Sequence, residues 1–186
     1  VERDTIESSA YEALANPGSL LSDVIVAADR QENLSVVPSR ISLAKLEARL
    51  VGELDAHFRL KDLVAHLADK YPYVVIDCPP TLGLLTVNAL VASTHLIIPI
   101  QSSYFALEGT DDLLETVEKV RTRANPALDI LGVLITMHDI SAVKSHLHTI
   151  KTTAASHVRA IKAASAAAAR TYGAALEENA TVAVAV

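Results

Sequence analysis

The chain has 186 residues, of which 51 % are hydrophobic and 20 % are charged, a balance that excludes an intrinsically disordered protein. Its formal net charge of −6 excludes an overall basic surface that would draw it onto nucleic acid. The single cysteine excludes a disulfide within the chain, which fits a cytoplasmic setting, and no apolar run is long enough to cross a bilayer.

The first 40 residues predict a helix followed by a strand. Asp4 is a candidate N-cap with Glu7 three residues later, which predicts a helix over residues 5–15. The run Asn16-Pro17-Gly18 ends it, because proline and glycine both disfavour further helix. Residues 34–37 then form a short candidate strand that Pro38 stops.

Helical spacing returns after this strand. Ser42 is the predicted cap of the next helix, and a second helix is predicted over residues 60–70. The apolar positions of the first of these two helices recur every three or four residues and predict one buried face, made of Leu43, Leu46, Leu50, Val51 and Leu54.

From residue 73 onwards short aliphatic runs alternate with helical patterns. The predicted strands cover residues 73–77, 95–100 and 130–136, and the predicted helices cover residues 82–91 and 108–123. Strands that are apolar without alternation are typical of a parallel sheet with helices on both faces. The fold class is therefore α/β, three-layered, with a mostly parallel sheet flanked by helices.

Ligands of such sheets bind beyond the carboxyl ends of the strands. This rule places three features at the functional edge, namely Asp77, Gln101 and the turn Met137-His138-Asp139. An aliphatic strand ending in aspartate is how P-loop NTPases present an acid near Mg²⁺. Asp77 also has a simpler interpretation as the cap of the turn that follows the strand, and the pattern alone leaves both open.

The end of the chain differs in composition. It is rich in alanine from about residue 154, which favours helix, so we predict a helical segment over residues 141–186 after a first domain over residues 1–140. Within it, Val182, Val184 and Val186 alternate and suit either a short strand or a frayed terminus.

Three stretches resemble the ParA/Soj-type partition ATPases, which are deviant P-loop ATPases of the ParA/MinD family, in the family's order and spacing. The first is similar to the family's Walker B region and reads VVIDCPPTLGLLTVNAL over residues 74–90. The others read IPIQSSYFALEG over residues 98–109 and GVLITMHD over residues 132–139. The resemblance extends over residues 5–139.

The resemblance implies an ATP- and Mg²⁺-dependent DNA-segregation protein that forms a nucleotide-sandwich homodimer. In that family the dimer binds DNA without sequence preference, and a ParB-like centromere-binding protein stimulates hydrolysis. Membranes are not implied as partners, and the expected location is cytoplasmic and nucleoid-associated. The implied site residues are Asp77 as the Walker B acid that holds Mg²⁺ through water, Pro79, Pro80 and Met137 near the nucleotide, and Tyr104, Phe105, Glu108 and Gly109 on the dimer face.

Two departures from the family pattern stand out. The 186 residues contain no G-x-x-x-x-G-K-[ST], so we expect the phosphate loop to lie ahead of residue 1 and this chain to be inactive alone. The resemblance also fades after Asp139, where the arginine-bearing loop of the family is missing.

Two alternative functions stay open. One is a non-catalytic dimerisation module derived from the same fold, and the other is a MinD-like positioning ATPase. Cys78 is interpreted as a small buried residue and not as a nucleophile, because no motif places a base beside it.

Overall fold

The structure is a computed structural model, and it describes residues 6–28, 33–101, 105–136 and 181–185. The helices are α1 (Ala10–Ala15), α2 (Ala44–Leu50), α3 (Arg59–Ala65), α4 (Leu84–Ala92) and α5 (Phe105–Arg123), with 3-10 turns at Leu21–Asp23 and Ile41–Leu43. The strands are β1 (Val26–Ala27), β2 (Leu34–Val37), β3 (Tyr73–Asp77), β4 (His95–Gln101), β5 (Asp129–Thr136) and β6 (Thr181–Ala185).

The chain divides into two compact units. The first comprises Val1–Ser93 with Ala175–Val186, and the second comprises Thr94–Ala174. The first unit contains a four-stranded sheet in the order β1-β2-β6-β3, in which β1 is antiparallel to β2 and the other pairs are parallel. The second contains the parallel pair β4-β5, with a register shift between Leu96 and Ile97. The α/β class with mostly parallel strands is thereby confirmed.

All four predicted strands are present. They occupy 34–37, 73–77, 95–101 and 129–136, within one residue of the expected limits. β1 is an additional strand of two residues, too short for a periodic pattern to reveal it. On α5, Glu115 and Lys119 form an ion pair one helical turn apart, with 2.7 Å between Oε1 and Nζ.

The last strand comes from the far end of the sequence. β6 lies between β2 and β3, with Leu34 and Tyr73 both in register with Thr181. Of the two interpretations left open for this end of the chain, the strand is the one that forms, and it includes Val182 and Val184. Residues 137–180 lie outside the described residues, and so does the predicted domain limit at residue 140.

The core of the first unit is aliphatic. Leucines from the helices dominate it, and Val74 and Ile76 of β3 pack against it from the sheet. Val75 lies on the opposite face of β3 and is 54 % exposed, so β3 alternates in exposure where its sequence predicted uniform burial. The fully buried leucines of this core include Leu14, Leu21, Leu46, Leu50 and Leu60.

The first helix begins later than the sequence predicted. Its N-cap is Ser9 and not Asp4, and its capping box pairs Ser9 with Glu12. The prediction chose the wrong member of two similar patterns, since both Asp4/Glu7 and Ser9/Glu12 have cap and acid three residues apart. The buried side of α1 starts at Ala10, whose N–H donates to Pro38 O at 2.8 Å, and this tertiary contact selects the second pattern.

The apolar face of α2 is shorter than predicted. Leu43, Leu46 and Leu50 are buried, whereas Val51 is 79 % exposed and Leu54 is 91 % exposed. The helix ends at Leu50, and Gly52 follows with a φ of 92°, which reverses the chain and interrupts the helical spacing.

Helix ends account for the remaining differences. Ser42 is not a cap, because it lies inside the 3-10 turn and no side chain caps α2. The helix predicted over residues 60–70 ends at Ala65, and the one predicted over residues 82–91 is Leu84–Ala92. In each case the helix type is correct and the limits move by one to five residues.

Candidate functional site

Asp77 is the last residue of β3, as predicted. It lies in register with Ala185 of β6, and β2 runs parallel to β6 on the other side. The carboxyl ends of these three strands therefore share one edge of the sheet, which is where α/β proteins bind ligands. The Asp77 residue is exposed at this edge.

The turn-cap interpretation of Asp77 requires its carboxylate to accept a backbone N–H from the turn that follows. Within the described part of the chain, no hydrogen bond or ion pair involves that carboxylate. The local chemistry of the turn also limits such a bond, because Pro79 and Pro80 have no N–H to donate. The Asp77 oxygens are therefore available to a ligand.

The turn after Asp77 is held by the helix that follows it. Pro79 is half-buried and Pro80 is exposed, and each proline restricts the backbone at its own position. The hydroxyl of Thr86, on the first turn of α4, donates to Thr81 O at 2.6 Å. The residues between Asp77 and α4 are thus tied to the helix by a buried threonine.

Cys78 follows Asp77 directly. As a residue it is exposed, which corrects the expectation that it is buried. Its sulfur is nevertheless poorly solvated, and this desolvation, with the negative charge of Asp77 adding to it, raises the pKa of Cys78 to about 11. The thiol is therefore protonated at neutral pH, in agreement with the interpretation that it is not a nucleophile.

A pocket of about 250 Å³ opens beside this turn in the first unit. It lies between the segment after β2, which contributes Ser39 and Arg40, and the segment after β3, which contributes Pro79 and Thr81. Glu47 and Leu85 line it from α2 and α4. Every buried side-chain nitrogen and oxygen of the described residues has a hydrogen-bond partner.

Two polar side chains near the turn were not singled out by the sequence. Glu47 accepts a hydrogen bond from Leu85 N at 3.0 Å, and Asn88 is only 1 % exposed at the centre of α4. Asn88 accepts from Leu60 N at 3.1 Å and donates to Ala56 O at 2.9 Å. No local signal identifies either residue, because each of these partners lies 28 to 38 residues away in the sequence.

The other predicted site residues belong to the second unit. Gln101 ends β4 at the carboxyl end of its parallel pair with β5. Phe105 is the first residue of α5, which places Glu108 and Gly109 in the first turns of that helix. Tyr104 and Met137, with the turn that Met137 begins, lie outside the described residues. The roles expected of these residues stay predictions.

Among the described residues there is no cluster of three or more His, Cys, Asp or Glu that could enclose a metal ion. Mg²⁺ keeps several waters and needs only one or two protein carboxylates, so a lone accessible Asp77 fits the role of a partner to a hydrated ion. The described residues do not fit the phosphates, because they contain no glycine-rich loop.

The family of the chain is shown by comparison with known protein families. The sequence profile of the AAA domain family matches residues 1–130, which include Asp77 and its turn. The chain belongs to this family, and within it to the ParA/Soj type. The resemblance drawn from the three motifs is thereby confirmed. Separately, the described part of the chain has no helix that is both long and apolar enough to span a membrane.

Two curated relatives carry the ParA/Soj type in their names. The sporulation initiation inhibitor protein Soj of Bacillus subtilis (strain 168) is 42 % identical over 139 residues, which cover 75 % of this chain and 54 % of that protein. The chromosome partitioning protein ParA of Myxococcus xanthus (strain DK1622) is 40 % identical over 146 residues, covering 78 % of this chain and 51 % of that protein. The chain spans about half the length of these relatives.

Solved structures support the same fold. Cobyrinic acid a,c-diamide synthase from Mycobacterium smegmatis matches with a TM-score of 0.74 and 32 % identity, covering 82 % of this chain and 62 % of that one. That protein has also been solved with bound ADP and magnesium, at a TM-score of 0.73. A plasmid partition protein from Borrelia burgdorferi matches with a TM-score of 0.65 and 29 % identity, covering 78 % of this chain and 59 % of that one. Because these proteins are named for different activities, the fold alone does not specify the reaction.

Proposed function

We propose that the chain is part of an ATP-driven partition protein of the ParA type, which works as a homodimer to segregate chromosomes or plasmids. The observation that carries this proposal is Asp77, an accessible carboxylate at the carboxyl end of β3 that no described residue engages. The Soj and ParA relatives, both matched over at least three-quarters of the chain, support partition over the synthase activity of the other solved neighbour.

Asp77 is proposed to hold a water molecule on a nucleotide-bound Mg²⁺. When bound, magnesium supplies positive charge that stabilises the phosphates during transfer. The part of the protein is to place the carboxylate correctly, and the Pro79-Pro80 turn restricts the backbone just after it. Met137 is proposed to lie near the nucleotide, and Tyr104, Phe105, Glu108 and Gly109 are proposed to form the dimer face.

ATP binding is proposed to need a phosphate loop in addition to these 186 residues. A triphosphate exchanges water for successive backbone N–H groups and a lysine, and no segment here has the sequence of such a loop. Calorimetric titration of the folded 186-residue chain with Mg-ATP is expected to show no binding. Micromolar affinity would mean that another segment of this chain supplies the phosphate site.

The role of Asp77 is tested in the protein translated from the complete gene. Asp77→Ala is expected to lower ATP turnover by about 100-fold or more, since the loss of about 3 kcal/mol of metal-borne stabilisation corresponds to roughly two decades in rate. Asp69→Ala, which removes an exposed carboxylate four residues before β3, is the matched control and should turn over ATP normally. Unchanged turnover in Asp77→Ala would reject the role.

The DNA and protein partners are also proposals. The complete protein is proposed to be cytoplasmic, to bind non-specific DNA at the nucleoid and to respond to a ParB-like protein. This chain alone carries a charge of −6, so it is expected to bind duplex DNA weakly in electrophoretic shift assays, with binding lost as salt rises. Tight binding that resists salt would contradict this expectation.

A second candidate function is a non-catalytic dimerisation module. The lack of a phosphate-loop motif in the 186 residues is the observation that favours it. The titration above also discriminates between the two functions when it is repeated with the complete gene product. Mg-ATP binding there supports the ATPase, and its absence with retained dimerisation supports the module.

A further inference from the structure

We propose that Glu47 is a positioning residue, which caps the N-terminus of α4 from the neighbouring helix α2 and thereby places the turn that follows Asp77. The cap itself is a property of the fold, whereas its importance for Asp77 rests on the function proposed above. Neither residue type nor spacing in the sequence reveals the pair, since Glu47 and its partner Leu85 are 38 residues apart.

The first turn of α4 lacks a cap of its own. Its N-cap position is Gly83, which has no side chain, yet helix N-termini leave N–H groups that need acceptors. Glu47 Oε1 accepts from the N–H of Leu85, the second residue of the helix, at 3.0 Å. A serine or aspartate N-cap accepts from the same position in other helices, and a carboxylate is further favoured there by the helix dipole.

Gly83 is matched to this carboxylate. Its φ of −87° and ψ of −171° are extended values open to any residue, so backbone conformation does not require glycine. A Cβ placed on Gly83 would instead overlap Glu47 Oε1 and stand 3.0 Å from both Cδ and Oε2. The glycine therefore makes room for the Glu47 carboxylate at the helix N-terminus.

This match makes the two positions interdependent. Glu47 reaches Gly83 with the end of a flexible side chain, so Gly83→Ala would displace the carboxylate without breaking the helix. The displaced carboxylate would lose its hydrogen bond to Leu85, which is the bond that Glu47→Ala removes directly. Each substitution thus removes the same hydrogen bond, and combining the two substitutions should cause little further loss of stability.

The cap acts on the turn because the turn is short and is anchored at α4. Six residues lead from Asp77 to Gly83, and Thr86 holds Thr81 O from within the first helical turn. Asn88 anchors the middle of α4 independently through Leu60 and Ala56. Loss of the Glu47 contact is therefore expected to loosen the first turn of α4 and the segment back to Asp77, while the rest of the helix stays in place.

The first test is a double-mutant cycle on the 186-residue chain, read by thermal unfolding. Glu47→Ala and Gly83→Ala are each expected to lower Tm by about 2 to 5 °C. The double variant is expected to lower it by no more than the larger single effect, because the same hydrogen bond cannot be lost twice. Additive losses would show that the two residues act separately and would overturn the proposal.

The second test is spectroscopic and reports position as well as stability. Amide exchange at Leu85 is expected to accelerate about tenfold in Glu47→Ala and in Glu47→Asp, which is one methylene too short. Glu47→Gln keeps an acceptor oxygen and should retain most of the protection. Glu53→Ala, which removes an exposed partner of Arg59 in the same unit, is the control and should leave Leu85 unchanged.

The amide signals of Asp77, Cys78 and Thr81 decide whether the cap positions the turn. They are expected to shift in Glu47→Ala and to stay in place in Glu53→Ala. A Glu47→Ala spectrum with these signals unmoved, or with Leu85 still protected, would overturn the proposal. No nucleotide is used in these measurements, so they can fail while Asp77 retains its proposed role, and the Asp77→Ala test can fail while the cap stands.

Discussion

Helices α1 and α4 begin with the same physical requirement and meet it differently. In α1 the cap is local, since Ser9 accepts from Tyr11 N at 3.3 Å and Glu12 accepts from Ser9 N at 2.7 Å. In α4 the corresponding acceptor is Glu47, which belongs to another helix. The middle of α4 is likewise tied to residues before and inside α3, through Asn88.

The difference follows from the residues available at each helix start. At the start of α1, the capping box of Ser9 and Glu12 is sufficient to satisfy the N–H groups. The start of α4 follows the turn that leaves Asp77, where prolines and a glycine leave few side chains able to cap. Residues that approach a candidate ligand edge are thus supported from elsewhere in the fold, as functional sites commonly are.

The largest effect in this comparison is expected from the long-range bonds of α4. Asn88→Ala would leave Leu60 N–H and Ala56 C=O buried without their side-chain partner, at a cost of about 3 kcal/mol in the free energy of unfolding. Urea unfolding measures this as a lower midpoint at constant slope. Thr116→Ala removes an exposed local bond to Asp112 O and is the control, expected to change stability by less than about 0.5 kcal/mol. A loss below about 1 kcal/mol for Asn88→Ala would mean that the long-range bonds stabilise the protein no more than the local ones do.

An intermediate effect is expected from the local box of α1. Ser9→Ala removes the side chain that accepts from Tyr11 N and donates to Glu12 Oε2 at 2.6 Å, and should cost about 1 kcal/mol. The same urea experiment checks it. Ser22→Ala, an exposed serine outside the core, provides the comparison and should be neutral. If Ser9→Ala were also neutral, the box would be a consequence of α1 packing and not a cause of it.

The smallest effect on stability is expected from protonating Glu12 at low pH. Burial alone would raise the pKa of Glu12, but hydrogen bonds from Ser9 and the local backbone, with the charge of Arg40, together hold it below its ordinary value of 4.5. A lowered pKa in the folded state means that the carboxylate stabilises the protein above 4.5 and that this contribution is lost as pH falls below it. The stability difference between wild type and Glu12→Gln, measured by urea unfolding, should therefore shrink with acid. A difference that is constant with pH would contradict the linkage.

Local rules predicted the elements and the sheet edge of this protein. The aliphatic runs ending at Val37 and Asp77 are strands, because they are short and are followed by prolines, and the longer stretch of α5 is a helix, because its apolar residues recur at helical spacing. Asp77 was found as a candidate because its strand pattern and the motif around it are continuous in sequence. The side chains that hold α4 were not found, because Glu47 and Asn88 bind partners that are distant in the sequence and leave no local pattern.

By itself, then, the sequence determined the α/β class, the four main strands, the carboxyl-end position of Asp77 and membership of the ParA/Soj type. Each of these depends on neighbouring residues or on a contiguous motif. Only the tertiary structure decided that Ser9 and not Asp4 caps α1, where the buried face of α2 ends, that Val182 and Val184 enter the sheet between β2 and β3, and that Glu47 holds the start of α4. These outcomes depend on which distant segments meet, and the energy that selects among equivalent local patterns comes from burial and hydrogen bonds formed at that contact.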